Sequence, residues 1–261
     1  MKKRFLGALV LLFAPLMAMA QLTVVSPNEQ VALKFWLSDK GRPMYSMTYK
    51  GKAVVNPSGL GLELAKDKHA SAGENETDLM EDFRIVDQQF ADFDETWRPV
   101  WGETSTIRNH YNELAVTLER ADERPVYYGG GDGRPGVGLE MQERRMIIRF
   151  RVYDDGIGLR YEFPQQKYLN YFLIKEEHTE FAMTGDHIAW WLPGDYDTQE
   201  QVTQQTRLSE IRSRFRQAVN WGNSSVAVFS ETGVQTALQM KTDDGLYINI
   251  HEAACLDYAT M

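Results

Sequence analysis

Twenty-eight basic residues stand against 37 acidic ones in this 261-residue chain, giving a formal charge of −9. That balance argues against nucleic acid as a partner and suits a neutral substrate or a bound cation, although a solvated acidic surface also accounts for much of it. Cys255 is the only cysteine, so no internal disulfide can form and the fold must rest on its apolar core. At the N-terminus, Lys2, Lys3 and Arg4 precede an apolar run that closes on Ala18, Met19 and Ala20, the small-x-small pattern of a secretory signal. The run falls short of the ~20 residues a membrane span needs, and Pro15 interrupts it. Residues 1–20 are therefore expected to be a signal peptide, and residues 21–261 a periplasmic or secreted product with no membrane attachment.

From Leu22 onward, short apolar alternations are separated by turn residues: VALKFWLS, then MYSMTYKGKAVVNPSG, DFRIVDQQF, ELAVTL, RMIIRFRVYDDGIGLRYEF, NYFLIKEEHTEFAM, SVAVFS, VQTALQMK and GLYINIHEA. Alternation with period two predicts strands, and Asp154-Asp155-Gly156 and Asp243-Asp244-Gly245 supply turn chemistry between them. Only Thr203–Val219 could carry a helix, with Leu208, Ile211 and Phe215 on one stripe; an extended, charged loop is the other reading. Many short strands with long loops indicate an all-β sandwich. Two polar loops interrupt the pattern, KDKHASAGENETDLMED and YYGGGDGRPGVG. The second, Tyr127–Gly138, lacks the Lys-Ser/Thr ending of a phosphate loop and reads as a hairpin extension.

Few motifs carry chemistry. Trp97–Leu118 mixes aromatic, amide, guanidinium and imidazole groups, a combination that can grip a sugar; alternatively, Arg108, Asn109 and His110 satisfy backbone groups at a bend between sheets, and Asn112 and Tyr111 stand at the entrance of the ELAVTL strand. His178, His187 and His251 lack zinc spacing and read as structural histidines. No Gly-x-Ser-x-Gly elbow exists, and Ser58 reads as a turn residue. In AWWLPGDYDTQE, Trp190 and Trp191 point to opposite faces of a strand, one to the core and one outward. Beyond the Pro193-Gly194 corner, Asp195, Asp197 and Glu200 fall in a loop that could meet a hard cation or a partner domain, or could be a solvated acidic loop.

DETWRPVWGE, IRNHYNELAVTL, RFRVYDDGIGLRYEFPQQ, GDHIAWWLPGDYDTQE and GVQTALQMKTDDGLYIN, in that order, resemble glycoside hydrolase family 97, and especially its starch-processing α-glucosidases. The resemblance implies an all-β, N-terminal β-super-sandwich related to galactose mutarotase-like domains, packed on a catalytic (β/α)8 barrel of the same polypeptide. It implies a calcium ion in the complete enzyme, to which Glu200 contributes one ligand. It also implies that the general acid and base lie on the barrel, so no residue of this chain is assigned to catalysis, and none to substrate contact.

On that resemblance the chain is expected to be an incomplete sandwich, inactive alone, prone to associate through an unpaired edge, and a weak binder of calcium. The expected substrate is a small carbohydrate, an α-glucan or malto-oligosaccharide, with α-galactosides the rival within the family. A non-catalytic carbohydrate-binding or scaffold domain is the alternative from another class. A mutarotase-like epimerase fails for want of a catalytic histidine pair.

Overall fold

The computed structural model describes residues 21–65, 78–129, 135–195, 197–228 and 233–253. The expected signal peptide, much of the first polar loop and Cys255 lie outside them. In chain order, β1 (Leu22–Val25), β2 (Val31–Leu37), β3 (Pro43–Tyr49) and β4 (Lys52–Gly59) form an antiparallel meander, and β5 (Leu62–Ala65) leaves it. A second meander follows: β6 (Arg84–Trp97), β7 (Ile107–Gly129), β8 (Pro135–Tyr153) and β9 (Gly156–Glu162). After that, β10 (Leu173–Glu177) returns to pair with β5. The chain then enters β11 (Ile188–Trp191), β12 (Gln204–Arg207), a 3-10 turn (Leu208–Glu210), α1 (Ile211–Ala218), β13 (Leu238–Lys241) and β14 (Tyr247–Ile250). The last sheet runs in the order β12-β11-β13-β14. Among the described residues the chain is almost wholly β, as its alternation predicts.

The alternation decides which faces meet. Val31, Leu33 and Phe35 of β2 point to one side and are fully buried, and so do Leu114, Val116 and Leu118 of β7 and Met146, Ile148, Phe150 and Val152 of β8. The two meanders close on each other through these side chains, with the Phe35 and Phe150 rings 5.7 Å apart and Tyr45 6.3 Å from Phe150. Each such burial contributes roughly 1.5–3 kcal/mol before entropy is charged against it. A smaller core sits beside it, where Trp191 of β11 and Met240 of β13 pack on Ile211 and Phe215 of α1. Trp191 and Phe215 lie nearly parallel, 14° apart with centroids at 6.4 Å. Met183 and Ile248 pack against both clusters, which ties the two cores together.

The outward face of the second meander is ionic. Arg149 donates to both Glu113 and Glu162, and Arg151 shares Glu113 at 2.9 Å. Glu119, 1% exposed, is held between Arg84 and Arg145. Burial raises the pKa of Glu113 and Glu119, but the guanidinium bonds outweigh it and leave both below the usual carboxylate range; Arg149 does the same for Glu162 against a smaller cost of burial. The pairing follows from register, because Glu113 lies opposite Arg151, and Glu119 opposite Arg145 and Arg84.

Several expectations need correction. DFRIVDQQF and ELAVTL are parts of much longer strands, β6 and β7, which pair from Arg84–Glu119 to Trp97–Ile107. Arg108, Asn109 and His110 therefore lie within a ribbon and not at a bend; Arg108 makes a two-pronged ion pair with Asp94 on β6, at 2.8 and 2.7 Å. Thr203–Val219 is a strand followed by a helix: its first residues pair with β11, and the 3-10 turn Leu208–Glu210 leads into α1, with Ile211 and Phe215 buried as the stripe predicts. SVAVFS forms no strand over its described residues, 225–228. The Ala227 N–H donates instead to a carboxylate, while Val226 and Val228 fill the smaller core. The described ends of the Gly-rich segment pair between β7 and β8 as far as Gly129–Pro135, as a hairpin extension predicts, and residues 130–134 lie outside the described residues.

Candidate functional site

The loop between β11 and β12 carries the sequence-predicted carboxylates. As alternation predicts, Trp191 ends β11 buried, with Nε1 donating to Thr206 Oγ1 at 3.0 Å, while Trp190 faces outward. Beyond it the backbone of residues 192–194 zips to residues 233–235: Gln235 N–H donates to the Leu192 carbonyl at 3.0 Å and Gly194 N–H to the Gly233 carbonyl at 2.7 Å. The loop leaves the smaller core from a fixed base.

Its three acids have different environments. Asp195 turns inward: Oδ1 accepts the backbone N–H groups of Asp197 (3.1 Å), Thr198 (3.3 Å) and Ala227 (3.1 Å), and Oδ2 accepts the Gln201 amide at 3.0 Å. Burial raises its pKa, yet these donors prevail and hold it below the ordinary range. A carboxylate so engaged cannot also be a strong cation ligand. Glu200 is exposed, and Oε2 accepts the Asn223 amide at 3.0 Å while its backbone N–H donates to Thr198 Oγ1 at 3.0 Å. Asp197 is exposed as well. Of the three, Glu200 and Asp197 are thus the ones turned to solvent.

The neighbouring segment is fixed by the same network. Gln201 Oε1 accepts the Asn220 N–H at 2.8 Å, and the nearly buried Gln235 amide donates to the Thr198 carbonyl at 3.0 Å. Between Asn220 and Asn223 stands Trp221, 64% exposed; two residues beyond Glu200 stands Val202, 69% exposed. An oriented carboxylate and two exposed apolar side chains thus stand along this segment.

The other candidates separate cleanly. Ser58 lies inside β4, not in a turn, and accepts the Ala182 N–H at 2.9 Å while donating to the Asn56 carbonyl at 2.8 Å. His187 is buried with Thr184 Oγ1 at 3.3 Å, a structural histidine as expected. His178 stands beside two carboxylates. Its Nε2 lies 3.6 Å from Glu63, and Glu63, Glu176 and His178 form a group whose ligand atoms fall within 4.8 Å. The Lys175 ammonium already occupies Glu63 and holds its carboxyl low. Strand β5 brings Glu63 opposite Glu176; in the sequence the only visible hint is the Glu-x-His spacing of Glu176 and His178. That group does not include Glu200.

The architecture is a β-sandwich domain of antiparallel meanders with an acidic loop turned outward, a class that does not by itself define an activity. The family description "Glycosyl-hydrolase 97 N-terminal" matches residues 24–261, and the chain belongs to this family. Among solved structures, it is similar to a glycoside hydrolase family 97 enzyme in complex with acarbose from Pseudoalteromonas sp. strain K8. The two are 30% identical over 92% of this chain, with a TM-score of 0.68. A variant of that enzyme in complex with panose aligns at 30% identity over 92% of this chain, with a TM-score of 0.66. A β-arabinopyranosidase, 16% identical over 87% of this chain and 31% of its own, shares the fold at a TM-score of 0.59. The chain spans 30% of the length of the Pseudoalteromonas structures.

Proposed function

We propose that this chain is the exported N-terminal sandwich of an α-glucosidase that hydrolyses α-glucans or malto-oligosaccharides. In this reading it supplies Glu200 as one calcium ligand and the loop around it as the docking edge for a catalytic barrel. The observation that carries the proposal is the contrast within one loop: Asp195 is spent on four internal donors, whereas Glu200 is held outward by a single amide.

Calcium takes about 6 to 8 oxygen ligands, so this loop fits as a contributor and not as a complete site. When bound, the ion would supply a fixed positive centre that polarises and positions substrate oxygens. The chain's own residues do the positioning: Asp195 fixes the loop backbone, Asn223 orients the Glu200 carboxylate, and Val202 and Trp221 exclude water once covered. The sugar ligands of the Pseudoalteromonas enzyme support a carbohydrate substrate here.

The test is a chimera in which residues 21–261 replace the matching portion of the Pseudoalteromonas enzyme, compared with its Glu200→Gln variant. The chimera should hydrolyse p-nitrophenyl α-glucoside, and Glu200→Gln should lower calcium affinity and rate together without lowering the melting temperature. Unchanged calcium affinity and rate in the variant would remove Glu200 from the site. The chain alone should show no turnover.

A further inference from the structure

The outward face of the β11–β14 sheet is separate from the Glu200 loop and has its own chemistry. Ala189, Trp191 and Met240 point into the smaller core, so alternation puts Trp190, Gln239, Lys241, Tyr247 and Asn249 on the opposite side, with Gln205 from β12. Register makes them neighbours: Trp190 lies opposite both Gln205 and Gln239, Gln239 opposite Asn249, and Lys241 opposite Tyr247. The Trp190 and Tyr247 rings reach towards each other across β13, 23° from parallel with centroids at 6.4 Å. Tyr247 is 68% exposed, and the Lys241 ammonium lies 5.0 Å from the centre of its ring.

The amides on this face are unspent. The side chains of Gln205, Gln239 and Asn249 are exposed and make no hydrogen bond to another described residue. Each amide offers two donors and an acceptor. An apolar protein partner that covered them would leave these groups unpaired at a cost. A nucleic acid would meet an acidic chain here, and Arg207 at the edge of this face is already paired with Asp243 at 2.9 Å. A ligand with flat C–H faces and many neutral hydroxyls satisfies both halves at once, its faces lying on the rings and its hydroxyls on the amides.

We propose that this sheet face is a carbohydrate-binding platform for a neutral α-glucan chain, with Trp190 and Tyr247 as stacking plates and Gln205, Gln239 and Asn249 as hydroxyl partners. The choice of glucan rests on the function proposed above; the platform itself needs neither calcium nor a barrel. Its test therefore uses this chain alone, in EDTA, by affinity electrophoresis in soluble starch and calorimetric titration with maltoheptaose. Wild type should be retarded, and Tyr247→Ala and Trp190→Ala should each weaken binding by about tenfold, as losing a stacking ring implies. Tyr247 is exposed enough for its variant to fold, so it decides alone if Trp190→Ala lowers the melting temperature. No retardation of wild type, or binding that survives Tyr247→Ala, overturns the proposal. So does concentration-dependent self-association abolished by Tyr247→Ala in a chain that ignores starch, because the face would then bind a second copy. Unchanged calcium affinity and rate in the Glu200→Gln chimera, with starch binding by this chain intact, would sink the proposed role of Glu200 and leave the platform standing.

Discussion

Asp195→Ala isolates the role of the loop's internal carboxylate. The substitution removes the acceptor for three backbone N–H groups and one side-chain amide. Each hydrogen bond to a charged group contributes roughly 1.5–3 kcal/mol when buried, but Asp195 is only half-buried. The N–H of Asp197, an exposed residue, can turn to water, whereas that of Ala227 belongs to a segment whose neighbours Val226 and Val228 are held in the smaller core. A net loss of about 2–3 kcal/mol follows, with a fall in melting temperature of about 4–12 °C for a domain of this size. Asp195→Asn keeps one oxygen for the backbone donors and loses the bond from Gln201, so it should cost about 1 kcal/mol. Urea titration followed by tryptophan fluorescence measures both. An alanine variant within about 0.5 kcal/mol of wild type, or an asparagine variant no better than alanine, would show that the loop is held by something other than Asp195.

Two further outcomes are expected. The lowered pKa values of Glu113, Glu119 and Glu162 mean that these groups stabilise the fold fully above the ordinary carboxylate range, near pH 4.3, and lose that contribution as pH falls through their depressed values; the urea midpoint should drop below about pH 4.5, and Glu119→Gln should flatten that slope, so an unchanged acid slope would refute the account. Trp191→Ala should cost about 3–5 kcal/mol as a buried aromatic deletion, and a urea titration showing less than about 1 kcal/mol would mean that the smaller core does not depend on the Trp191–Phe215 stack.

Where one face is buried and the other wet, the sequence is explicit, and β2 and β8 could be read directly from their alternation. The pattern fails for β6, because its residues are exposed on both sides from Val86's neighbours to Trp97 and nothing in DFDETW alternates. The helix was legible from Ile211 and Phe215, but its start was not, since Gln204–Arg207 becomes a strand only through pairing with β11, a long-range event. SVAVFS has a strand's composition, yet one N–H is claimed by Asp195 from 32 residues away. Glu200 was identified by family resemblance alone; its spacing did not distinguish it from Asp195. The local signal that separates them was present: an aspartate followed by Asp197 and Thr198 can form an Asx turn, which spends the first acid internally. The amide and aromatic platform was invisible for another reason, because Gln205, Trp190, Gln239 and Asn249 lie on four strands whose order is not sequential.

That strand order also explains why one short strand can serve two surfaces. Trp191 anchors β11 by its inward ring and its bond to Thr206, which leaves Trp190 with its backbone fixed and its ring free to face outward. The same anchor is the last ordered strand residue before the Glu200 loop, so the position of that carboxylate is set by the Trp191–Phe215 stack and by the Asp195 hub in series. Disturbing the core should then affect both surfaces, whereas disturbing Asp195 should affect only the loop. Starch retardation unchanged in Asp195→Ala, alongside reduced calcium affinity of the corresponding chimera, is the outcome this arrangement requires. Equal damage to both would mean that the loop and the sheet face move as one unit, and the separation of the two surfaces along β11 would have to be abandoned.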